Sequence, residues 1–205
     1  MAATRTPQAV ATDLIDLLND KGQGDYIGEP ISQLEHSLQA DHLSKVNNAT
    51  DETVVAALLH DIGQFLPASE VRRIAGEVKS MSSHDDSSEG GVGRVGHEMI
   101  GQQYLLELGF NDRVAALVGS HVAAKRYLCA TDASYHDTLS DASKKSLIFQ
   151  GGPMKGAELD AWAANPLCTE MCQLRKWDDG AKVVGLKVAP AEWYRGMIGS
   201  CVRRA

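Results

Sequence analysis

The sequence has little cysteine, no membrane-length apolar run and no excess of positive charge, and each shortage removes a class of function. Its four cysteines (Cys129, Cys168, Cys172 and Cys201) form neither a CxxC pair nor an even spacing, so neither a disulfide framework nor a thiolate zinc site is suggested. Cys168 and Cys172 fall one helical turn apart, and free thiols remain the default reading for all four. No apolar stretch approaches the roughly 20 residues that cross a bilayer. The opening MAATRTPQAVATD has neither a basic n-region nor an apolar h-region, so a soluble, cytoplasmic protein without a membrane partner is expected. Its 20 Lys and Arg are scattered among 27 Asp and Glu, for a net charge of -7. That pattern offers no electrostatic footprint for a nucleic-acid backbone.

What is present is enough apolar material for one core: 205 residues, 43% of them hydrophobic. We read residues 1–205 as a single all-α domain, a compact helical bundle. Leu14, Ile15, Leu17 and Leu18 follow a helical spacing that stops at KGQG, predicting a helix over about 7–21. Pro30 suits the first position of a second helix, on which Leu34 and Leu38 share a face and which carries His36. Thr50 is the expected N-cap of TVVAALLHDIG, an apolar helix ending at Gly63 with His60 and Asp61 in its last turn. Residues 77–94, which include His84, are rich in Ser, Gly and Asp without periodicity and read as a mobile loop. Then comes GHEMIGQQYLLELG, a helix terminated by Gly109, followed by one capped by Asn111 that carries VAALVGSHVAAK and His121. Past an irregular stretch around Tyr135, further helices are predicted at about 140–148, 155–164, 167–182 and 190–203.

Four of the seven histidines (His36, His60, His97 and His121) fall on separate apolar helices at positions facing or bordering the core. A buried imidazole needs both nitrogens satisfied, and a shared cation does this for several rings at once. A lone core histidine is more often simply hydrogen-bonded, but Asp61 beside His60 raises the stakes. A carboxylate at the end of an apolar helix is costly unless it is paired or coordinates a metal. Neighbouring helical residues diverge by about 100°, so His60 and Asp61 enter the site from different angles, which suits an aspartate shared between two ions.

Taken in order, His36, HDIG at 60–63, GHE at 96–98, His121, and Asp178 within RKWDD resemble the H…HD…H…H…D signature of the HD-domain superfamily, in its two-metal variant. The resemblance implies one metal held by His36, His60, Asp61 and Asp178, and a second held by the bridging Asp61 with His97 and His121. The superfamily includes phosphohydrolases and a smaller branch of mixed-valent di-iron oxygenases. The stretches 25–39, 121–128, 138–143 and 149–152 resemble that branch, which uses O2 to break the carbon–phosphorus bond of 1-hydroxy-2-(amino or trimethylammonio)ethylphosphonates. Its products are phosphate and glycine or glycine betaine, and the resemblance runs from about residue 13 to about 182. It implies two iron ions, Fe(II)/Fe(III), and an organophosphonate and O2 as partners. By the same resemblance Tyr26 would cover an open metal position until substrate displaces it, and Glu29 would pair with the substrate ammonium.

The remaining candidates come from the residues themselves. Lys125 lies one turn after His121 on the same helix face and can reach an anion at the metals. Ser140 and Ser143 can donate to phosphonate oxygens, although Ser140 equally suits a helix N-cap, and Gln150 before two glycines offers another donor. The sequence departs from the family at Gln64, where the family has a histidine that can contact substrate, and in a longer 77–94 segment. The alternative function is a metal-dependent phosphohydrolase acting on a phosphomonoester or nucleotide, which would not require Tyr26 with Glu29. A metal-stabilised binding domain is a third reading.

Overall fold

The computed structural model describes residues 5–26, 28–79, 81 and 93–203. The order along the chain is α1 (Pro7–Lys21), α2 (Gln33–Val46), α3 (Asp51–Leu59), α4 (Ile62–Phe65), α5 (Ala68–Ala75), α6 (His97–Glu107) and α7 (Asp112–Val118). It continues with α8 (His121–Thr131), α9 (Tyr135–Thr138), α10 (Asp141–Phe149), α11 (Gly156–Ala163) and α12 (Cys168–Gly180). A 3-10 turn (Ala191–Tyr194) then leads into α13 (Arg195–Ser200). The fold is all-α, with isolated β bridges at Asp25–Ser32 and Phe110–Val202.

Helix α3 is the hub. Val54, Val55, Ala56, Ala57, Leu58 and Leu59 are all buried, so it is apolar on every side and must be enclosed. Val10, Leu14 and Leu18 of α1, Val114 and Leu117 of α7, Leu174 and Trp177 of α12 and Ile198 of α13 join it in one hydrophobic cluster. Thr50 caps α3 as its sequence predicts, accepting from Thr53 N at 3.4 Å. None of the helices in the described residues is long and apolar enough to cross a membrane.

The elements differ from the sequence reading in a few places, each with a local cause. Helix α2 starts later than Pro30, because Ser32 and Glu35 form a reciprocal capping box that satisfies the first free amides. Pro30 sits instead in a turn where Glu29 N donates to Tyr26 O at 2.8 Å. The apolar helix ending at Gly63 is broken at His60–Asp61 into α3 and α4, and the one carrying His121 is broken at Gly119–Ser120 into α7 and α8. Helix α5 has no counterpart in the sequence reading, and the predicted 190–203 helix is a 3-10 turn followed by the shorter α13. In the 77–94 segment, His84 and most neighbours lie outside the described residues. At its two ends, Met81 N donates to Gly93 O and Val95 N to Lys79 O, each at 2.9 Å.

Candidate metal centre

Five elements bring six side chains to one point, each by a local device. The capping box of α2 fixes its first turn, and His36 is fully buried there. Asp61, at φ -96° and ψ 10°, sits in the bridge region between α3 and α4, so it turns away from His60 instead of continuing the helix. His97 and His121 are the first residues of α6 and α8, and His97 follows Gly96, whose φ of 70° is left-handed. Asp178 comes from the last turns of α12. Gly63, two residues after Asp61, is where α4 meets α6: a Cβ there would lie 2.0 Å from the carbonyl oxygen of His97, so only glycine permits this approach.

The two carboxylate oxygens of Asp61 divide the histidines into two pairs. Oδ1 lies 3.2 Å from His97 Nε2 and 3.5 Å from His121 Nε2, while Oδ2 lies 3.5 Å from His60 Nε2 and 3.9 Å from His36 Nε2. Asp178 adds a second carboxylate to the latter pair, with Oδ1 3.3 Å from His36 Nε2 and Oδ2 3.9 Å from His60 Nε2. His36, His60 and Asp61 form one group able to hold an ion, and Asp61, His97 and His121 another.

The outer nitrogens explain why these rings need a cation. His36 Nδ1 faces Ala181 O at 2.9 Å, His60 Nδ1 faces Ala57 O at 2.8 Å, His97 Nδ1 faces Arg94 O at 2.9 Å and His121 Nδ1 faces Val118 O at 2.9 Å. A carbonyl only accepts, so each Nδ1 carries a proton, and each Nε2 points inward, as a lone pair wherever the ring is neutral. The two inward pairs are 3.1 Å apart for His36 and His60 and 2.9 Å apart for His97 and His121. Facing lone pairs at that distance repel unless a cation or proton lies beside them. Asp178 Oδ1 is also buried and accepts no hydrogen bond, a costly state that a metal would relieve.

Electrostatics keep both carboxylates ionised. Burial opposes the charge on Asp61, but His60, His97 and His121 together hold its pKa well below the usual range. Burial likewise opposes the charge on Asp178, and Arg175 followed by His60 and His36 overcomes it. Burial and then the charge of His97 push His121 down to about 3, which favours the unprotonated ring that a metal requires. Burial, with Asp178 and Asp61 nearby, pushes the Tyr26 phenol well up and keeps it protonated.

A cavity of about 70 Å³ opens beside this cluster. Among the sequence-predicted residues it is lined by Tyr26, Glu29, Asp61, Gln64, His97, His121, Lys125, Ser143, Gln150 and Asp178. His36 and His60 lie behind that lining, and Tyr26 stacks on His36 with ring centroids 3.8 Å apart. Ser140 is not part of the lining. It caps α10, accepting from Ser143 N at 3.3 Å, and also accepts from Lys182 Nζ at 3.2 Å. Lys125 is almost wholly buried and donates to Ser146 Oγ at 2.7 Å. Burial, then the charge of Arg175, brings its pKa down to about 7. Gln150 Oε1 is buried without a hydrogen-bond partner, an acceptor available to a ligand's donor. Gln64 is partly committed, because its Oε1 accepts from Arg94 N at 3.0 Å.

Three contributors escaped sequence reasoning. Arg175 donates to Asp178 Oδ2 at 2.7 Å and clasps Asp179; its position one turn before Asp178 was the available signal. Arg94 orients His97 through its carbonyl and ties Gly63 O and Leu66 O through its guanidinium at 3.0 and 2.6 Å. Lys182 lines the cavity from beyond α12, where the sequence carries no motif.

A helical scaffold that buries two histidine pairs around one aspartate defines a metal-dependent protein, and the chain belongs to the HD-domain family, whose pattern matches residues 34–145. Along its full length the chain is 40% identical to the hydroxymethylphosphonate dioxygenase of Gimesia maris, covering 94% of that protein. It is 36% identical over 178 residues to the glycine-betaine-forming 1-hydroxy-2-(trimethylamino)ethylphosphonate dioxygenase of Leisingera caerulea, covering 87% of this chain and 82% of the relative.

Proposed function

We propose that the chain is an O2-dependent oxygenase of the HD superfamily that cleaves the carbon–phosphorus bond of a small 1-hydroxyphosphonate. The observation that carries this reading is the centre itself: two pairs of inward-facing Nε2 atoms, each pair served by one oxygen of Asp61. Two relatives of nearly the same length, both phosphonate dioxygenases by name, support the reaction class. The reaction balances without an external reductant. One O2 provides one oxygen to phosphorus and one to carbon, and the four electrons it takes up convert the hydroxyalkyl carbon to a carboxylate.

In this reading His36, His60, Asp61 and Asp178 hold one iron, and Asp61, His97 and His121 hold the other. Mixed imidazole and carboxylate donors suit iron. The pair would supply Lewis acidity for the substrate oxygens and the electrons that engage O2. The protein's own groups bind and orient. Lys125 lies on the face of α8 that carries His121 and meets the phosphonate, the Ser143 hydroxyl and the Gln150 side-chain amide lie in the same lining, and the Tyr26 ring stacks on His36. The cavity is small, about 70 Å³, where larger ligand sites run to about 300–1,000 Å³. Packing of α1 and α13 onto α3 supports treating residues 1–205 as one domain, and the free cysteines suit a reducing cytoplasm.

The test uses aerobically purified protein. Iron content and a mixed-valence EPR signal are measured before and after adding hydroxymethylphosphonate or 2-amino-1-hydroxyethylphosphonate, and phosphate release is followed with and without O2. Stoichiometric iron, a perturbed signal and strictly O2-dependent phosphate are expected. Phosphate released equally without O2 would overturn the oxygenase reading in favour of metal-assisted hydrolysis.

A further inference from the structure

Glu29 is expected to pair with a substrate ammonium, yet the structure already gives it a cation. Lys182 Nζ lies 3.3 Å from Glu29 Oε1, and the two side chains are only 14% and 15% exposed. That carboxylate oxygen is buried and accepts no hydrogen bond, so the neighbouring ammonium is what compensates its charge. The ammonium is held from other sides as well: it donates to Ser140 Oγ at 3.2 Å and Ser143 Oγ at 3.5 Å, and it lies 5.8 Å from the centre of the Tyr26 ring. Its backbone is anchored too, because the preceding carbonyl, Ala181 O, accepts from His36 Nδ1 at 2.9 Å. Lys182, Glu29 and Tyr26 all line the same cavity.

We propose that Lys182 is a specificity-determining residue whose ammonium takes the place beside Glu29 that a cationic substituent of the substrate would otherwise fill. This rests on the oxygenase reading above and narrows its substrate class. The site takes 1-hydroxyphosphonates that carry no ammonium, with hydroxymethylphosphonate the smallest member. Two effects act in the same direction. An incoming ammonium meets a like charge and a carboxylate that is already neutralised. A phosphonate dianion, in contrast, meets a further cation in the cavity lining besides Lys125.

The test compares phosphate release from hydroxymethylphosphonate and 2-amino-1-hydroxyethylphosphonate by the iron-loaded wild type, Lys182→Met and Lys182→Met/Glu29→Gln, with melting curves to verify folding and Lys182→Gln as a second variant. The wild type should favour hydroxymethylphosphonate in kcat/KM. Removing the ammonium should move that ratio toward the amino substrate by roughly tenfold to a hundredfold, the scale of a close charge pair, and Glu29→Gln should erase the gain. A wild type that prefers the amino substrate, or a folded Lys182→Met protein with an unchanged ratio, overturns the proposal. If neither compound yields O2-dependent phosphate, the oxygenase reading fails. Anaerobic calorimetric titration of the two phosphonates onto the same proteins then reads the ratio independently, with the same criteria.

Discussion

The two halves of the centre use the same elements, a histidine pair and one oxygen of Asp61, yet one is closed and the other open. His36 and His60 lie behind the cavity lining and share a second carboxylate, Asp178, itself gripped by Arg175. His97 and His121 face the cavity, and in the described residues no second carboxylate joins their group. Four protein donors on one side and three on the other therefore face very different surroundings. The difference teaches that one aspartate can face a closed half and an open half at once, with ligand access and one further carboxylate separating them.

The comparison breaks most completely at its shared member. Asp61→Ala should bring the metal-to-protein ratio near zero by elemental analysis, and retention of iron would show that the two halves do not depend on a common bridge. A subtler break separates them: His121→Ala leaves two protein donors on the open side, whereas His36→Ala leaves three on the closed side. We expect His121→Ala to lose its ion outright and His36→Ala to bind metal more weakly. Equal losses in the two variants would deny the asymmetry.

A smaller effect is expected at Lys125. Lys125→Met should retain iron and weaken phosphonate binding by roughly 10- to 1,000-fold, as truncating one member of a buried charge pair does. The sign of the pH dependence follows from its depressed pKa of about 7. At pH 8 the free lysine is mostly neutral, and a bound dianion raises its pKa, so binding takes up a proton. Affinity therefore falls as pH rises above about 7. Calorimetry in two buffers of different ionisation enthalpy measures that uptake, and Lys125→Met should abolish it. The smallest effect belongs to the scaffold alone: Thr50→Ala removes the cap of α3 and should cost about 1 kcal/mol in urea unfolding, with metal content unchanged.

Much of this was legible in the sequence because it depends on local pattern. Helix α1, the Thr50 cap and the buried run of α3 follow from periodicity and capping chemistry, and the ordered histidines and aspartates pointed to the cluster. Less legible were the breaks at His60–Asp61 and Gly119–Ser120. They span one or two residues inside runs whose apolar spacing continues unbroken, and they set the angle at which Asp61 and His121 enter the site. Arg94 and Lys182 were hidden for another reason. Their roles come from partners such as Gly63, Glu29 and Ser143, which only the tertiary fold brings near, and no spacing rule encodes a lysine beyond a helix end meeting a loop glutamate far back in the chain.

Gly63 gives the motif HDIG a geometric meaning. Its missing Cβ would stand 2.0 Å from the carbonyl of His97, so the hydrogen atom in its place works as a spacer gauge between α4 and α6. Asp61 rides on one side of that gauge and His97 on the other, 3.2 Å apart. A single methyl group inserted there would force α4 and α6 apart and so change the span of the bridge. The chain thus tunes the reach of Asp61 toward His97 with a residue that touches neither ligand atom.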